Sequence, residues 1–236
     1  PYQSHPDTRN AANTHQMNYF DVHLSHLTQM MRYGVWGKIN VAIIEAAEVS
    51  DNGEVLLGPG VGAAPTICRL ADKIIIEINK HENKAIRGFH DIYQPLDPPY
   101  RREIPIYKPS DRIGDTVLKV DPKKIVGIVE SDATDGVKPF APVDEVTMRI
   151  GSNVSNFLAA QLKAGLIPPQ FLPLQSGVGN IANAVLGCLG SNPDIPAFEM
   201  YTEVVQDAVI DLMKQGRCRF ASSCSLTVSD GKLQEV

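Results

Sequence analysis

The stretch from Phe171 to Gly216 constrains the fold most, because it predicts a strand, a glycine turn, a helix, a second strand and a second helix. The first apolar run, Phe171–Leu174, is interrupted by Pro173, and the second strand is predicted to end at Glu203. The helix expected after it is indicated by apolar residues at helical spacing, namely Val205, Ala208, Val209, Leu212 and Met213. Strands that alternate with helices predict an α/β fold with a mostly parallel sheet.

The glycine turn consists of Gly177, Val178, Gly179 and Asn180. Two glycines separated by one residue permit positive φ and leave the backbone amides uncovered. Since a helical pattern follows directly, these amides are predicted to lie at a helix N-terminus, where an anion or a developing oxyanion is stabilised. Glu203 is predicted in the first turn of the next helix, where the helix dipole favours an ionised and nucleophilic carboxylate.

Two functions are compatible with this spacing. Gly177-x-Gly179-x-x-Ala182 matches the relaxed dinucleotide fingerprint, and Glu199 or Glu203 lies ~20 residues further on, where a ribose-binding acid is expected. The alternative is an acyl-transfer site, in which a carboxylate nucleophile faces a turn rich in backbone amides. Spacing alone does not decide between a dinucleotide-binding module and an acyl transferase.

Composition excludes several classes of protein. The 236 residues are 43% hydrophobic, which is enough for one or two domains, and the formal net charge is −5. No basic cluster suggests a nucleic acid, and no apolar run reaches the ~18 residues of a membrane span. The polar N-terminal residues lack the apolar core of a signal peptide, so a cytoplasmic protein is expected.

The remainder of the chain repeats the α/β pattern. Strands are predicted at Val41–Ile44, Asp72–Asn79, Lys124–Glu130 and Arg217–Val228. A turn is expected at Asp51-Asn52-Gly53, and helices are expected where apolar stripes or start signals occur: Leu24 to Met31 closed by Gly34, a helix opening at Pro65, and one capped by Asp144 that continues to Leu162.

The polar stretch Ser131–Pro142 is the best candidate for a linker. Gly60-Val61-Gly62 echoes the Gly177–Gly179 turn, and each precedes a helix and then a strand. The echo hints at two related halves. The first glycine loop is interpreted as a structural loop or a cleft wall rather than as a second reacting centre.

Other candidate groups carry weaker signals. His23 and His26 could share a helix face, but no third ligand has suitable spacing, so no metal site is predicted. The four cysteines, Cys68, Cys188, Cys218 and Cys224, form no CxxC pair and are expected to be buried free thiols.

The segment 88–115 is rich in proline and is expected to lack regular helix. Its cations could meet phosphates of coenzyme A or a substrate carboxylate, or could simply pair with neighbouring acids. Those cations are Arg101, Arg102, Lys108 and Arg112.

Long strings of this sequence resemble the acetyl-CoA hydrolase/transferase family of class I CoA-transferases. They include SGVGNIANAVLG, MYTEVVQDAVIDLMKQG, GPGVGAAPTICRLADKIIIEIN and DVHLSHLTQMMRYG, and the resemblance runs over nearly all of residues 19–229. It implies two related α/β domains: residues 1–135 would be the later part of the N-terminal CoA-transferase domain, and residues 136–236 the start of the C-terminal one, which carries the catalytic glutamate. The nucleophile of the family is the glutamate of the YTEV segment, which corresponds to Glu203. The resemblance also implies that the turn Gly177, Val178, Gly179 and Asn180 supplies backbone donors near the reacting carbonyl.

The resemblance further implies what the protein acts on. The substrates would be an acyl-CoA, with succinyl-CoA or acetyl-CoA expected, and a short carboxylate such as acetate. Alternatives are acetyl-CoA hydrolysis and transfer to butyrate or 4-hydroxybutyrate. Coenzyme A would be a substrate, no cofactor or metal would be required, and a homodimer is expected. Family members extend beyond both ends of this sequence, so the chain is expected to be an internal piece of a longer protein.

Overall fold

The structure is a computed structural model that describes residues 5–134, 142–168, 170–171, 173–233 and 235. The predicted linker and the 135/136 domain boundary lie largely outside the described residues, and so does Leu172. Two compact units are present, Pro1–Lys38 and Ile39–Val236.

The first unit contains two helices, α1 (Pro6–Asn13) and α2 (Leu24–Arg32). Helix α2 confirms the apolar stripe, and Gly34 ends it with a φ of 71° and an N–H bond to the Met31 carbonyl. An aromatic contact joins Phe20 and Trp36, whose ring centroids are 6.1 Å apart.

The second unit begins with a three-stranded parallel sheet of order β1-β4-β6. Its strands are β1 (Val41–Ala46), β4 (Lys73–Asn79) and β6 (Ile125–Ser131), and they confirm the three strands predicted in this region. Isoleucines dominate the centre, because Ile74 and Ile76 are fully buried and pair with β1 on one side and β6 on the other.

A small antiparallel sheet is formed by three short strands that lie between those of the parallel sheet along the chain. It contains β2 (Glu48–Val49), β3 (Glu54–Leu56) and β5 (Leu118–Lys119). The predicted turn connects β2 to β3, and Gly53 adopts a φ of 82° there. A side chain at Gly53 would lie 2.2 Å from the Val120 carbonyl oxygen, so the turn requires glycine for space as well as for conformation.

The helices of the second unit follow the predicted signals. Helix α3 (Ala64–Leu70) has Pro65 in its first turn, and α4 (Glu145–Lys163) begins with a capping box between Asp144 and Thr147. Helix α5 (Asn180–Ser191) packs on α4, with Gly151 against the Ala184 backbone. Two short 3₁₀ turns, Lys84–Ile86 and Pro122–Lys124, complete the connections before β6.

The C-terminal region is built on a parallel pair of strands, β7 (Phe198–Gln206) and β8 (Cys218–Thr227), joined by α6 (Asp207–Lys214). Strand β8 confirms the prediction for Arg217–Val228, and a short helix α7 (Asp230–Leu233) follows it. The described residues therefore form a mixed α/β fold with mainly parallel sheets.

Two main groups of buried apolar residues stabilise the second unit. One surrounds β1 and β4 and includes Ala42, Ile44, Val55, Leu57, Ile74 and Ile76. The other surrounds β7 and β8 and includes Phe171, Leu186, Ile195, Phe198, Met200, Val209 and Leu212. The second group holds β7 in place, and β7 carries the residue predicted to be the nucleophile.

Candidate active site

Strand β7 alternates between two environments. Phe198, Met200 and Thr202 are buried, whereas Tyr201 and Glu203 are exposed. Successive side chains of a strand leave on opposite faces, so Glu203 projects from the face opposite to that of its neighbour Thr202. No hydrogen bond or ion pair joins its carboxylate to another residue in the described part of the chain.

The prediction that Glu203 lies in the first turn of a helix is wrong. Strand β7 continues to Gln206, and α6 begins at Asp207. The strand extends because Val204, Val205 and Gln206 pair with Ser225, Leu226 and Thr227 of β8, and these ladder bonds outweigh the helical spacing of the apolar residues.

The start of α6 at Asp207 also changes which carboxylate the helix dipole stabilises. The field of a helix end falls off within its first turn, so the dipole of α6 acts on Asp207 rather than on Glu203. The Asp207 carboxylate accepts a hydrogen bond from the Ser229 N–H at 2.8 Å, which ties the start of α6 to the end of β8.

Among the described residues of the strand predicted before the glycine turn, Leu174 alone pairs with β7, through a bridge to Met200. The Leu174 N–H donates to the Glu199 carbonyl at 2.9 Å, and its carbonyl accepts from the Tyr201 N–H at 3.0 Å. Phe171 has a φ of 49° and Pro173 has no N–H, so neither continues the ladder. Leu174 nevertheless brings the turn alongside β7.

The glycine turn leads into a helix as predicted. Gly179 is the N-cap of α5 and has a φ of 135°, a conformation that other residues rarely adopt. Since the N-cap residue is glycine, it has no side chain to cap the first turn of α5, and Val178 is half-exposed. Gly177 and Val178 are thus exposed beside β7, whereas Gly179 and Asn180 are half-buried.

Two residues that sequence reasoning did not select hold this turn. The Thr202 hydroxyl accepts from the Ser176 N–H at 3.1 Å and donates to the Ser176 carbonyl at 3.0 Å. The Gln206 amide donates to the Gly177 carbonyl at 2.8 Å and accepts from the Gly179 N–H at 3.5 Å. The sequence signal available for Thr202 and Gln206 was their position in β7, where these two polar residues share a face with the apolar Met200 and Val204.

The first glycine loop reaches the other edge of the same strand pair. Gly60 forms an isolated antiparallel bridge with Ser225 of β8, and the Leu226 N–H donates to the Pro59 carbonyl at 3.1 Å. The two glycine loops therefore flank the β7–β8 pair, with Leu174 beside β7 and Gly60 beside β8. This placement is compatible with both roles expected of the first loop, a structural loop and a cleft wall.

The proline-rich segment 88–115 contains no helix, as predicted. Arg112 donates to the Gly88 carbonyl at 2.8 Å and also to the His90 carbonyl, while the Asp91 carboxylate accepts from the Ile113 and Gly114 N–H groups. These contacts close the base of the segment, so Arg112 has a structural role there.

The four cysteines differ in exposure, so the expectation that all are buried is wrong. Cys68 and Cys218 are buried, Cys188 is half-buried and Cys224 is exposed on β8. Burial raises the pKa of the Cys68 thiol to about 11, although the nearby Lys124 opposes this shift. Cys68 is therefore an unreactive core residue.

The two histidines near the N-terminus lie close together but are not part of a larger group of potential metal ligands in the described residues. His23 and His26 contact each other edge to face with ring centroids 5.5 Å apart, but no group of three potential His, Cys, Asp or Glu ligands is found there. Within the same residues, every helix is too short or too polar to cross a bilayer.

Comparison with known proteins identifies the family. Residues 1–130 match the model of the acetyl-CoA hydrolase/transferase N-terminal domain, which is more than half of the chain. The chain belongs to this family of enzymes. This membership favours the acyl-transfer interpretation of the glycine turn over the dinucleotide interpretation.

The relatives are named either as CoA-transferases or as acetyl-CoA hydrolases; the acetyl-CoA hydrolase of Yarrowia lipolytica is 36% identical over 98% of this chain and 45% of that protein. The propanoyl-CoA:succinate CoA transferase of Escherichia coli is 42% identical over 236 residues, which are 100% of this chain and 48% of that protein. The succinyl-CoA:acetate CoA-transferase of Clostridium kluyveri is 37% identical and is covered over 44% of its length. The chain thus spans about half the length of the curated relatives it matches.

A solved structure supports the fold. The 4-hydroxybutyrate CoA-transferase of Porphyromonas gingivalis superimposes with a TM-score of 0.63 at 18% identity, over 98% of this chain and 51% of that one. At this identity the match shows the fold alone.

Proposed function

We propose that the protein containing this chain transfers coenzyme A between an acyl-CoA and a short carboxylate, with Glu203 as the nucleophile. The observation that carries this proposal is the exposed Glu203 carboxylate on β7, a strand whose neighbouring residues hold an amide-rich turn. The names of two relatives, both CoA-transferases, support this class of reaction, whereas other relatives are named acetyl-CoA hydrolases and support the second candidate below.

The proposed reaction proceeds in two half-reactions without a redox step. The Glu203 carboxylate attacks the thioester carbonyl of acyl-CoA, and the carbon–sulfur bond breaks. Coenzyme A departs as the thiolate, and an acyl-glutamyl anhydride remains on the enzyme. The thiolate then attacks the glutamyl carbonyl, which releases the first carboxylate and forms a glutamyl-CoA thioester. A second carboxylate reverses these steps, regenerates Glu203 and leaves as the new acyl-CoA. Backbone N–H groups of Gly177–Asn180 would stabilise the oxyanions formed on the way.

Succinyl-CoA and acetate are the proposed substrate pair. Acetyl-CoA hydrolysis is the second candidate, because the exposed Glu203 side chain is open to water and a solvated anhydride or thioester hydrolyses. Transfer to butyrate or 4-hydroxybutyrate is a variant of the first candidate with a different acid. No metal or cofactor other than the CoA substrate is proposed, and the proposed assembly is a cytoplasmic homodimer.

Intact-mass analysis of the full-length protein tests the nucleophile. The protein is mixed with succinyl-CoA or acetyl-CoA, quenched in acid and compared with Glu203→Ala and Glu199→Ala. Glu199 is the matched control, because it is the same residue type on the same face of β7, four positions earlier. We expect a CoA-sized adduct in the parent and in Glu199→Ala but not in Glu203→Ala.

Other outcomes would redirect the assignment. An adduct that persists in Glu203→Ala would exclude Glu203 as the nucleophile. With succinyl-CoA as donor and acetate as acceptor, an adduct that releases free CoA without forming acetyl-CoA would favour the hydrolase. The absence of any adduct, together with thermal stabilisation by NAD(H), would support dinucleotide binding instead. Light scattering of the full-length protein tests the homodimer.

A further inference from the structure

We infer that Thr202 and Gln206 are positioning residues for the proposed acyl transfer, and that they fix the orientation of the N–H groups of Gly177 and Val178. The inference rests on the proposed function, because it concerns the same site. It adds two residues to that site and selects two donors from the predicted turn.

Burial and bonding indicate why these two side chains are polar. Thr202 is 6% exposed and Gln206 is fully buried, yet both lie on the apolar face of β7 beside Met200 and Val204. A buried hydroxyl or amide is costly unless it is hydrogen-bonded. Here the partners are backbone groups of Ser176, Gly177 and Gly179, so the polar atoms of both side chains bind the turn.

The geometry of the trans peptide bond shows how these contacts orient the N–H groups of the turn. In a trans peptide the carbonyl and the following N–H point in opposite directions. Thr202 binds the Ser176 carbonyl, so the Gly177 N–H points away from Thr202; Gln206 binds the Gly177 carbonyl, so the Val178 N–H points away from Gln206. Both N–H groups are therefore directed away from the side chains that hold the turn.

The same contacts distinguish the four residues of the turn. The Gly179 N–H is already engaged by the Gln206 side chain, whereas the N–H groups of Gly177, Val178 and Asn180 contact no acceptor among the described residues. Of these three, only Gly177 and Val178 follow a carbonyl that Thr202 or Gln206 binds. Successive N–H groups with a common direction form a concavity that binds anions. A developing oxyanion beside Glu203 would be bound by this pair.

Kinetics of the full-length protein test the inference through Thr202. Thr202→Val keeps the β-branched shape and removes the hydroxyl, whereas Thr202→Ser keeps the hydroxyl. We expect Thr202→Val to lower kcat by about 10- to 100-fold, with KM for acyl-CoA changed by less than about threefold, because oriented donors act mainly on the transition state. Thr202→Ser should retain a kcat close to that of the parent.

A second variant, Gln206→Met, removes both amide contacts at similar volume and should show the same loss in kcat if it folds. Thermal unfolding of each variant verifies folding, and Thr202→Val remains the deciding variant if Gln206→Met does not fold. A folded Thr202→Val with parental kcat, or with an effect on KM alone, would overturn the positioning role and leave the proposed function intact. A parent protein without an adduct at Glu203 would overturn both.

Discussion

Replacement of Gly151 by alanine should destabilise the protein, because α4 and α5 meet at this residue. An added Cβ would lie 2.7 Å from the Ala184 carbonyl oxygen and 3.0 Å from the Cys188 sulfur. The oxygen belongs to the backbone of α5, so the contact can be relieved only if the two helices separate. Overpacking of this kind costs about 1–3 kcal/mol.

Helix propensity acts in the opposite direction and has to be separated from the steric cost. Alanine is favoured over glycine within a helix by about 1 kcal/mol. Gly187 of α5 is the matched control, because an added Cβ there would contact nothing within 4 Å. Gly187→Ala should therefore gain about 0.5–1 kcal/mol, and Gly151→Ala should be less stable than Gly187→Ala by about 1–3 kcal/mol.

Urea unfolding of the parent and the two variants, followed by circular dichroism, measures this difference. The slopes of the transitions have to agree if the midpoints are to be compared as stabilities. Gly151→Ala with a stability equal to or above that of Gly187→Ala would refute the close approach of α4 and α5. The packing of α5, and hence the position of the turn that precedes it, would then need revision.

Two further predictions concern local chemistry. Asp144→Ala should lower the urea midpoint, whereas Asp144→Ser should not, because serine can still cap α4. Hydrogen bonds from the Thr147 backbone and side chain lower the pKa of Asp144 from its ordinary 3.8. The stabilisation by the Asp144 carboxylate is therefore complete above that value and is lost as the pH falls through the lower folded-state pKa. The unfolding curves of the parent and of Asp144→Ala should therefore converge in acid. Iodoacetamide at pH 8 should label the exposed Cys224 well before Cys68, whose pKa of about 11 leaves little thiolate; peptide mass mapping measures the order, and comparable rates would contradict the burial of Cys68.

Much of the fold could be predicted because local patterns and tertiary contacts agree. The isoleucine run Ile74–Ile76 is typical of a strand buried on both faces, and it forms the central strand β4. Asp144 and Thr147 form the cap that was expected before α4, and Pro65 lies in the first turn of α3. In each case the residue that signals the element also makes the bond or contact that stabilises it.

Prediction failed where strand pairing opposed helical spacing. Val205 continues the apolar stripe of α6, but it pairs with Leu226 and extends β7 instead. The partner strand is distant in sequence, so its effect on Val205 could not be read from the local pattern. For the same reason, Thr202 and Gln206 were not selected, because their partners in the turn lie 26 to 29 residues earlier.

The register of β7 determines the whole arrangement of the site, and it can be tested directly. Met200 is fully buried and Tyr201 is 51% exposed, so a charge should be tolerated at one position and not at the next. Met200→Lys should cost several kcal/mol, because it buries an unpaired ammonium group, whereas Tyr201→Lys should change stability by less than about 1 kcal/mol.

Urea midpoints of Met200→Lys and Tyr201→Lys measure this contrast in the same strand. A shift by one residue would exchange the two faces, and Glu203 would then point into the core while Thr202 faced solvent. Severe destabilisation by Tyr201→Lys with tolerance of Met200→Lys would indicate that shift. The expected result would instead place Glu203 on the open face and Thr202 with Gln206 on the buried one, which is the arrangement that both the proposed nucleophile and the proposed positioning residues require.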